Sequence, residues 1–444
     1  MQSMRRFLLS KLIAWKNSPD RKPLLLQGAR QVGKTTLLHQ FGKEYFRKVH
    51  SFNFEENLKL AELFSSNLDP THLIQLLQFH QDVDIDVDRD LLVFDEIQSC
   101  PRAITSLKYF QEKMPRVAIC AAGSLLGVYL APVSFPVGKV DILHLYPMCF
   151  EEFLLAQEDH KSLAVLDDFS MHNKEIPRVA HDHLLAQFKQ YLIVGGLPEV
   201  VGTFIQHREN PFVAFQKVRE RQKSLLATYL ADIAKHSGPV NAMHIARIFE
   251  SVPAQLSRSQ DGSAPKFVFK GVVPGVDRYS KLVGALDWLE KAGLIIKVLI
   301  VNSGRLPFSA YSEENVFKMY LFDVGLLGAM CQLTPKMILD FDWGSYKGFF
   351  VENYVAQELL TAGKEKLYSW HEKTAEVEFL HEVDGSPVPV EVKSGWVTQS
   401  KSAKMFSDKY TCPYYVVFNA DLPALKERVR RYPLYLAGRF LHLR

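Results

Sequence analysis

The sequence predicts an α/β protein of about three domains that begins with a parallel sheet flanked by helices. Its 444 residues correspond to about three domains at ~150 residues each. Short apolar runs at 24–27, 91–94 and 117–122 are each followed by a segment with the pattern of a helix. Buried strands that alternate with helices in this way are typical of a parallel sheet covered on both faces.

The rest of the chain predicts two further domains. Helical segments that end near 292 are followed by a strand at 294–301, which is the helix–helix–helix–ribbon order of a winged helix. Winged helices bind DNA or proteins, and the sequence leaves both open. A helix at 348–362 then precedes two strands. The expected domains are 1–230 (the sheet domain with a helical lid), 231–312 (winged-helix-like) and 313–444 (a second α/β domain).

Composition and charge exclude several classes of protein. Hydrophobic residues make up 47% of the chain and charged residues 23%, which excludes a disordered or fibrous protein. The net charge of +4 does not mark a nucleic-acid binder, although local basic patches remain compatible with it. Five scattered cysteines predict free thiols in a reducing, cytoplasmic environment. No apolar run approaches the ~18 residues of a spanning helix, so no membrane partner is expected.

Residues 28–35 match the phosphate-binding loop pattern G-x-x-x-x-G-K-[ST] in full, between a predicted strand and a predicted helix. Glycines let successive N–H groups point at phosphates, and the helix N-terminus adds partial positive charge. Lys34 is expected to reach the β- and γ-phosphates, and the Thr35 hydroxyl to complete a Mg²⁺ shell. The predicted cofactors are therefore ATP and Mg²⁺. The residues expected at the nucleotide are Gly28, Ala29, Arg30, Gln31, Val32, Gly33, Lys34, Thr35 and Thr36.

Two acids follow the strand at 91–94, at the end where sites in open α/β sheets lie. Asp95 is expected to hold magnesium, and Glu96 to polarise the attacking water as general base. Ser124, after the next strand, is a candidate sensor of the γ-phosphate, with a plain turn as the alternative. Pro198 is a candidate for packing on adenine, with a helix break as the alternative.

A hairpin in the last domain predicts a second site. Asp384-Gly385 is a favoured two-residue turn, and the register it sets places Glu378 opposite Glu391. Facing carboxylates repel unless a divalent cation lies between them. Lys393 emerges on the same face, and Glu352 on the preceding helix is a further candidate ligand. This set suits metal-dependent phosphodiester cleavage. The alternatives are a fold of the same kind that only binds, and a solvated hairpin face with Glu376–Lys393 pairs.

Several segments, in this order, resemble the bacterial and archaeal AAA+ ATPases that carry a C-terminal domain of unknown function. They are GARQVGKT, LLVFDEIQ, AAGSLLG, FPVGKVDILHLYPMCFEEFL, YLIVGGLPEV, FDVGLL, GFFVENYVAQEL and VPVEVKSG, between about 22 and 395. The resemblance implies ATP-dependent work, a winged helix after the ATPase and a restriction-endonuclease-like C-terminal fold. Glu391-Val392-Lys393 resembles the E-x-K of the PD-(D/E)XK nucleases, with Glu378 where aspartate is favoured.

Oligomeric state and function are not fixed by the resemblance. Lys139 stands where an arginine finger is expected, and lysine cannot make the bidentate phosphate contact of arginine. The ring assembly usual in AAA+ proteins therefore does not follow for this chain, and a homo-oligomer stays open. The first function expected is Mg²⁺-dependent ATP hydrolysis coupled to a DNA-directed, nucleolytic C-terminal domain. The alternatives are a nucleotide-gated DNA- or protein-binding switch without nuclease activity, and a scaffold that binds ATP for structure. Glu96 favours the first over the scaffold, and Glu378 favours the switch.

Overall fold

The chain divides into two compact units in the computed structural model. One unit comprises Met1–Tyr146 with Lys291–Gly293, and the other comprises Pro147–Glu290 with Leu294–Arg444. The structure describes residues 4–57, 59–123, 135–171, 175–236, 238–260, 266–340, 347–395, 400–426 and 428–442. All five cysteines are free thiols. Among the described residues, no helix combines the length and apolarity needed to cross a membrane.

The first unit is a five-stranded parallel sheet with helices. The strands are β1 (Leu24–Gln27), β2 (Val49–Asn53), β3 (Leu91–Asp95), β4 (Ala118–Gly123) and β5 (Asp141–His144). The helices are α1 (Leu8–Asn17), α2 (Lys34–Tyr45), α3 (Lys59–Leu63), α4 (Pro70–Gln81) and α5 (Pro101–Lys113). The strand order is β2-β3-β4-β1-β5, and every pairing is parallel. The predicted parallel sheet is therefore confirmed.

Burial explains which strands the sequence reveals. Every residue of β3 and β4 is buried, because these strands lie inside the sheet with both faces covered, and they read as continuous apolar runs. β2 and β5 lie at the two edges and alternate between more and less buried residues, so neither has an apolar run. Since β4 separates β1 from β3, the carboxyl ends of all three strands are neighbours.

The second unit combines a helical layer with an eight-stranded mixed sheet. Its helices are α6 (Phe150–Ala156), α7 (His160–Met171), α8 (Arg178–Val194), α9 (Pro198–His207), α10 (Pro211–His236), α11 (Pro239–Gln260), α12 (Tyr279–Lys291), α13 (Val324–Met330), α14 (Pro335–Leu339), α15 (Lys347–Thr361) and α16 (Lys401–Lys409). Its strands are β6 (Ile295–Val301), β7 (Ser312–Leu321), β8 (Leu367–Glu372), β9 (Ala375–Val383), β10 (Ser386–Val392), β11 (Tyr415–Asn419), β12 (Ala424–Leu425) and β13 (Val429–Pro433).

The expected domain borders differ from this division. The sheet order is β12-β13-β11-β10-β9-β8-β6-β7, so β6 pairs with β7 on one side and with β8 on the other. The border expected between 312 and 313 therefore falls inside one sheet. The helices expected in the lid of 1–230 lie in the second unit from 147 onward. Two paired strands have the same local sequence pattern whether they form a separate ribbon or part of a larger sheet. The sequence therefore does not distinguish a winged-helix ribbon from the pair of β6 and β7 in this sheet.

Two buried polar side chains, Asp323 and Gln357, join three of the segments quoted for the resemblance. Asp323 accepts hydrogen bonds from the backbone N–H groups of Gly196 (2.7 Å) and Leu326 (2.9 Å). The side chain of Gln357, on α15, accepts one from the N–H of Val324 (3.0 Å). YLIVGGLPEV, FDVGLL and GFFVENYVAQEL thus meet in the interior of the second unit, where each polar group needs a partner.

Candidate functional site

The phosphate-binding loop connects β1 to α2, and its backbone requires glycine at both ends. A Cβ atom on Gly28 would lie 2.2 Å from the carbonyl oxygen of Leu145. Gly33 has φ 93°, in the left-handed region that glycine enters without steric cost. Gln31, between them, also has a positive φ of 66°. The two glycines of the motif are therefore fixed by a close approach and by backbone conformation.

Lys34 is seated inside the loop. Its side chain is buried, and its Nζ donates hydrogen bonds to the carbonyl oxygens of Gly28 (2.9 Å) and Ala29 (2.8 Å). Burial lowers the pKa of Lys34 to about 8, and the charges of Glu96 and Asp95 partly offset this effect. A buried ammonium with a lowered pKa gains from any added negative charge, which suits it to bind phosphate.

A direct hydrogen bond links the loop to the acidic pair. The Thr35 hydroxyl donates to Asp95 Oδ2 at 2.9 Å, and Asp95 is itself buried at the end of β3. Glu96 follows in the left-handed region, with φ 48°, and its N–H donates to Asp95 Oδ1 at 3.1 Å. The structure thus brings together Lys34, Thr35, Asp95 and Glu96, as the sequence predicts.

The remaining predicted nucleotide residues have varied surroundings. Arg30 forms an ion pair with Glu55 (3.3 Å), and Thr36 is exposed in the first turn of α2. Pro198 is the first residue of α9, in the second unit. Ser124, which follows β4, lies outside the described residues. Lys139 forms an ion pair with Glu112 at 3.2 Å.

Family models match three successive parts of the chain. Residues 20–154 match the model described as an AAA domain, and this segment holds the whole phosphate-binding loop and both acids. Residues 185–337 and 347–435 match two models described as Domain of unknown function (DUF8612) and Domain of unknown function (DUF4143). No curated protein sequence matches the chain.

Several solved structures are similar to parts of the chain. The Walker-type ATPase PABY2304 of Pyrococcus abyssi is 16% identical, with a TM-score of 0.46 over 74% of this chain and 96% of that one. AMPPCP-bound DnaA from Aquifex aeolicus is 15% identical, with a TM-score of 0.30 over 64% and 86%. The RuvB Holliday junction branch migration motor of Thermotoga maritima is 15% identical, with a TM-score of 0.31 over 68% and 88%.

The match of residues 20–154 to an AAA domain supports ATP binding and hydrolysis. AAA domains bind nucleotide at a phosphate-binding loop, and here the loop, its lysine and the acids of β3 lie in one unit.

The predicted carboxylate pair lies on the hairpin of β9 and β10 in the second unit. The strand register pairs Ser386 with Val383 and Val390 with Phe379, which confirms the register predicted from the turn. Glu391 Oε1 lies 2.6 Å from Lys393 Nζ, and Glu391 Oε2 accepts the N–H of Ala403 (3.1 Å).

Glu378 is buried, so the alternative of a solvated hairpin face is wrong. Its Oε2 accepts the N–H of Val392 at 3.2 Å. Burial raises the pKa of Glu378 to about 8, and the charges of Glu352 and Glu391 add to the effect. Glu376 does not pair with Lys393, as that alternative requires, but forms an ion pair with Lys318.

Two residues of β7 extend this site, and the sequence analysis predicts neither. Lys318 is buried, and its Nζ lies 3.7 Å from Glu352 Oε2. The Tyr320 hydroxyl donates to the same oxygen at 2.8 Å. A lone lysine in the apolar run VFKMYLF is a signal that could have found Lys318. We call Lys318, Tyr320, Glu352, Glu376, Glu378, Glu391 and Lys393 the acidic cluster.

The acidic cluster carries more negative than positive groups, but it is not a three-ligand metal site. Across the described part of the chain, no three or more His, Cys, Asp or Glu side chains are arranged to hold a metal ion. In this arrangement Glu352, Glu378 and Glu391 do not form such a three-ligand group, and their role as metal ligands stays a prediction. Glu352 is engaged by Tyr320 and Lys318, whereas Glu391 is engaged by Lys393.

Proposed function

We propose that this protein is a Mg²⁺-dependent ATPase in which the phosphate-binding loop and the acids of β3 form the catalytic site. The observation that carries the proposal is the 2.9 Å hydrogen bond from Thr35 to Asp95, which joins the two motifs beside the buried Lys34. A hydroxyl and a carboxylate oxygen side by side are the hard oxygen donors that Mg²⁺ prefers. These residues therefore fit the ion, which would neutralise phosphate charge when bound.

Each residue has a separate role in the proposed reaction. Lys34 places an ammonium against the β- and γ-phosphates, and the glycine-rich backbone directs its N–H groups at them. Thr35 and Asp95 hold the ion. Glu96 accepts the proton of the attacking water, and its place beside Asp95 puts it at the same end of β3.

The ATPase proposal is tested with two variants in the AAA domain. Lys34→Ala removes the buried ammonium, so ATP affinity should fall by at least about tenfold, or 1.4 kcal/mol. Glu96→Gln keeps the shape of the side chain but not the base, so ATP should bind while turnover falls by about 10²-fold or more. The measurements are ATP titration and phosphate release, with the exposed Lys43→Ala and Glu56→Gln as matched controls.

Two outcomes would contradict this assignment. Unchanged ATP affinity in Lys34→Ala would remove the loop as the nucleotide site. Turnover retained in Glu96→Gln would remove Glu96 as the general base.

A second function is favoured by the acidic cluster. We propose that the second unit acts on DNA, with Glu378, Glu391 and Lys393 as a metal-dependent cleavage site. Two buried carboxylates whose charges repel favour a cation between them, and Lys393 stands ready to balance phosphate charge. The alternative is a nucleotide-gated DNA- or protein-binding switch in which the same cluster only stabilises the fold. Segment 231–312 would then supply winged-helix contacts.

Incubation with DNA decides between cleavage and a switch. Linear, circular and single-stranded DNA are incubated with the protein and Mg²⁺ or Mn²⁺, with and without ATP. Cleavage should fall by at least about 10²-fold in Glu391→Ala and Lys393→Ala, and not in the exposed control Lys366→Ala. Cleavage that persists in both cluster variants would exclude this site, and DNA binding without cleavage would support the switch.

The compartment and the oligomeric state are proposed from chemistry alone. Five free thiols fit a reducing cytoplasm. In a homo-oligomer, a neighbouring subunit could supply an arginine to the ATP site, a contact that Lys139 cannot make in the same way. Light scattering with and without ATP measures the oligomeric state directly.

A further inference from the structure

Arg6 is a buried arginine next to the phosphate-binding loop. It precedes α1, and only 6% of its surface is exposed, whereas the adjacent Arg5 is exposed. Buried arginines are rare unless their guanidinium groups are paired or hydrogen-bonded. The sequence pattern of a basic pair before an amphipathic helix does not distinguish these two residues.

The guanidinium of Arg6 bridges two carbonyl groups that are distant in sequence. Nη1 donates to the carbonyl oxygen of Val32 at 2.8 Å, and Nη2 donates to that of Tyr146 at 2.7 Å. Val32 is in the phosphate-binding loop, and Tyr146 follows β5. The residue before it, Leu145, donates its N–H to Gln27 at the end of β1 (2.8 Å). Arg6 therefore fastens the loop to a segment that is itself tied to the central sheet.

The bond to Val32 fixes the direction of a neighbouring donor. A trans peptide unit is planar, with its C=O and N–H on opposite sides. The C=O of Val32 and the N–H of Gly33 belong to one such unit. Because Arg6 holds that C=O, the N–H of Gly33 must point away from Arg6. Glycine has more backbone freedom than other residues, and Gly33 has a φ of 93°, in the left-handed region. The orientation of its N–H therefore depends more on an external hydrogen bond than that of another residue would.

We propose that Arg6 is a positioning residue of the ATP site, which aims the N–H of Gly33 at the nucleotide phosphates by holding the carbonyl of Val32. This role rests on the proposed ATPase function. Two parallel donors in a rigid fork suit arginine, whereas a lysine in its place reaches one carbonyl. N–H groups that are already oriented before the ligand binds stabilise its negative charge without the cost of reorienting.

The test compares ATP affinity with thermal stability in the full-length protein. In Arg6→Ala, the dissociation constant for ATP should rise at least about tenfold at a temperature well below unfolding. Arg6→Lys should give an intermediate value, because one hydrogen bond can be rebuilt. Arg5→Ala is the matched control and should bind ATP as the wild type does. Titration with a fluorescent ATP analogue gives the affinity, and differential scanning fluorimetry without nucleotide gives the melting temperature.

A lower melting temperature with unchanged ATP affinity in Arg6→Ala would show a merely structural role and overturn the proposal. If Arg6→Ala does not fold, the Arg6→Lys variant provides the test. ATP affinity equal to that of the wild type in Arg6→Lys would also overturn the proposal. A wild-type protein that binds no ATP would overturn the proposed ATPase function itself. A wild type that binds ATP, with Arg6→Ala equal to it, would overturn the role of Arg6 alone.

Discussion

Burial changes the proton affinity of several single carboxyl groups in the second unit. Glu358, on α15, accepts the N–H of Phe150 at 2.9 Å and is fully enclosed. Burial raises the pKa of Glu358 to about 8, and the bond from Phe150 opposes the shift. Burial likewise raises the pKa of Asp323 to about 6. Both groups bind protons more readily in the folded chain than in an unfolded one.

This shift predicts a pH dependence of stability that Glu358→Gln should remove. An acid with a raised folded pKa stabilises the fold at low pH, and that contribution is lost as pH rises from about 4.5 to about 8. The variant keeps an oxygen that accepts the Phe150 N–H but has no charge to bury. Relative to the wild type, its free energy of unfolding should therefore increase between pH 5 and pH 8, by about 1–3 kcal/mol.

Denaturant unfolding of the wild type and Glu358→Gln at pH 5, 6.5 and 8 measures this difference. The exposed Glu365→Gln should follow the wild type at each pH. A difference that stays constant with pH would show that Glu358 is ionised throughout or neutral throughout, contrary to the prediction.

At the scale of elements, sequence predicts what local chemistry determines. β1, β3 and β4 are apolar runs because they are central strands, and the 28–35 loop follows from its glycines and lysine. The hairpin register follows from Asp384-Gly385, whose positive φ values of 48° and 74° suit the two-residue turn. Because the turn sets the register, it also sets which residues of the two strands face each other, and Glu378 and Glu391 are such a pair.

Elements that depend on long-range packing escape the sequence. The ion pair between Lys318 and Glu376 joins β7 to β9, two strands that are not neighbours in the sheet. Arg6 contacts carbonyls 26 and 140 residues away. Neither contact produces a periodic pattern in the sequence, because each depends on how distant segments pack in the folded chain. For the same reason, local pattern alone predicts a separate domain for the ribbon of β6 and β7.

At the scale of the whole molecule, the charge distribution sets what kind of DNA binding to expect. A chain with net charge +4 has no broad basic field, so phosphates would be held by local groups such as Lys34 in one unit and Lys393 in the other. Few phosphate contacts give modest affinity and a shallow dependence on salt. If ATP controls these contacts, the affinity of ATP for the DNA-bound protein must differ from its affinity for the DNA-free protein.

The Glu96→Gln variant makes this coupling measurable, because it should hold ATP without turnover. DNA affinity, measured by fluorescence anisotropy between 50 and 200 mM salt, should change at least about fivefold when ATP is added. Lys34→Ala, which cannot hold ATP, should show no such change and serves as the control. DNA affinity that ATP leaves unchanged would mean that the two units act independently. If the protein does not bind DNA even at the lowest salt, its lysines do not bind DNA phosphates. That result would favour the alternative of a switch that binds a protein.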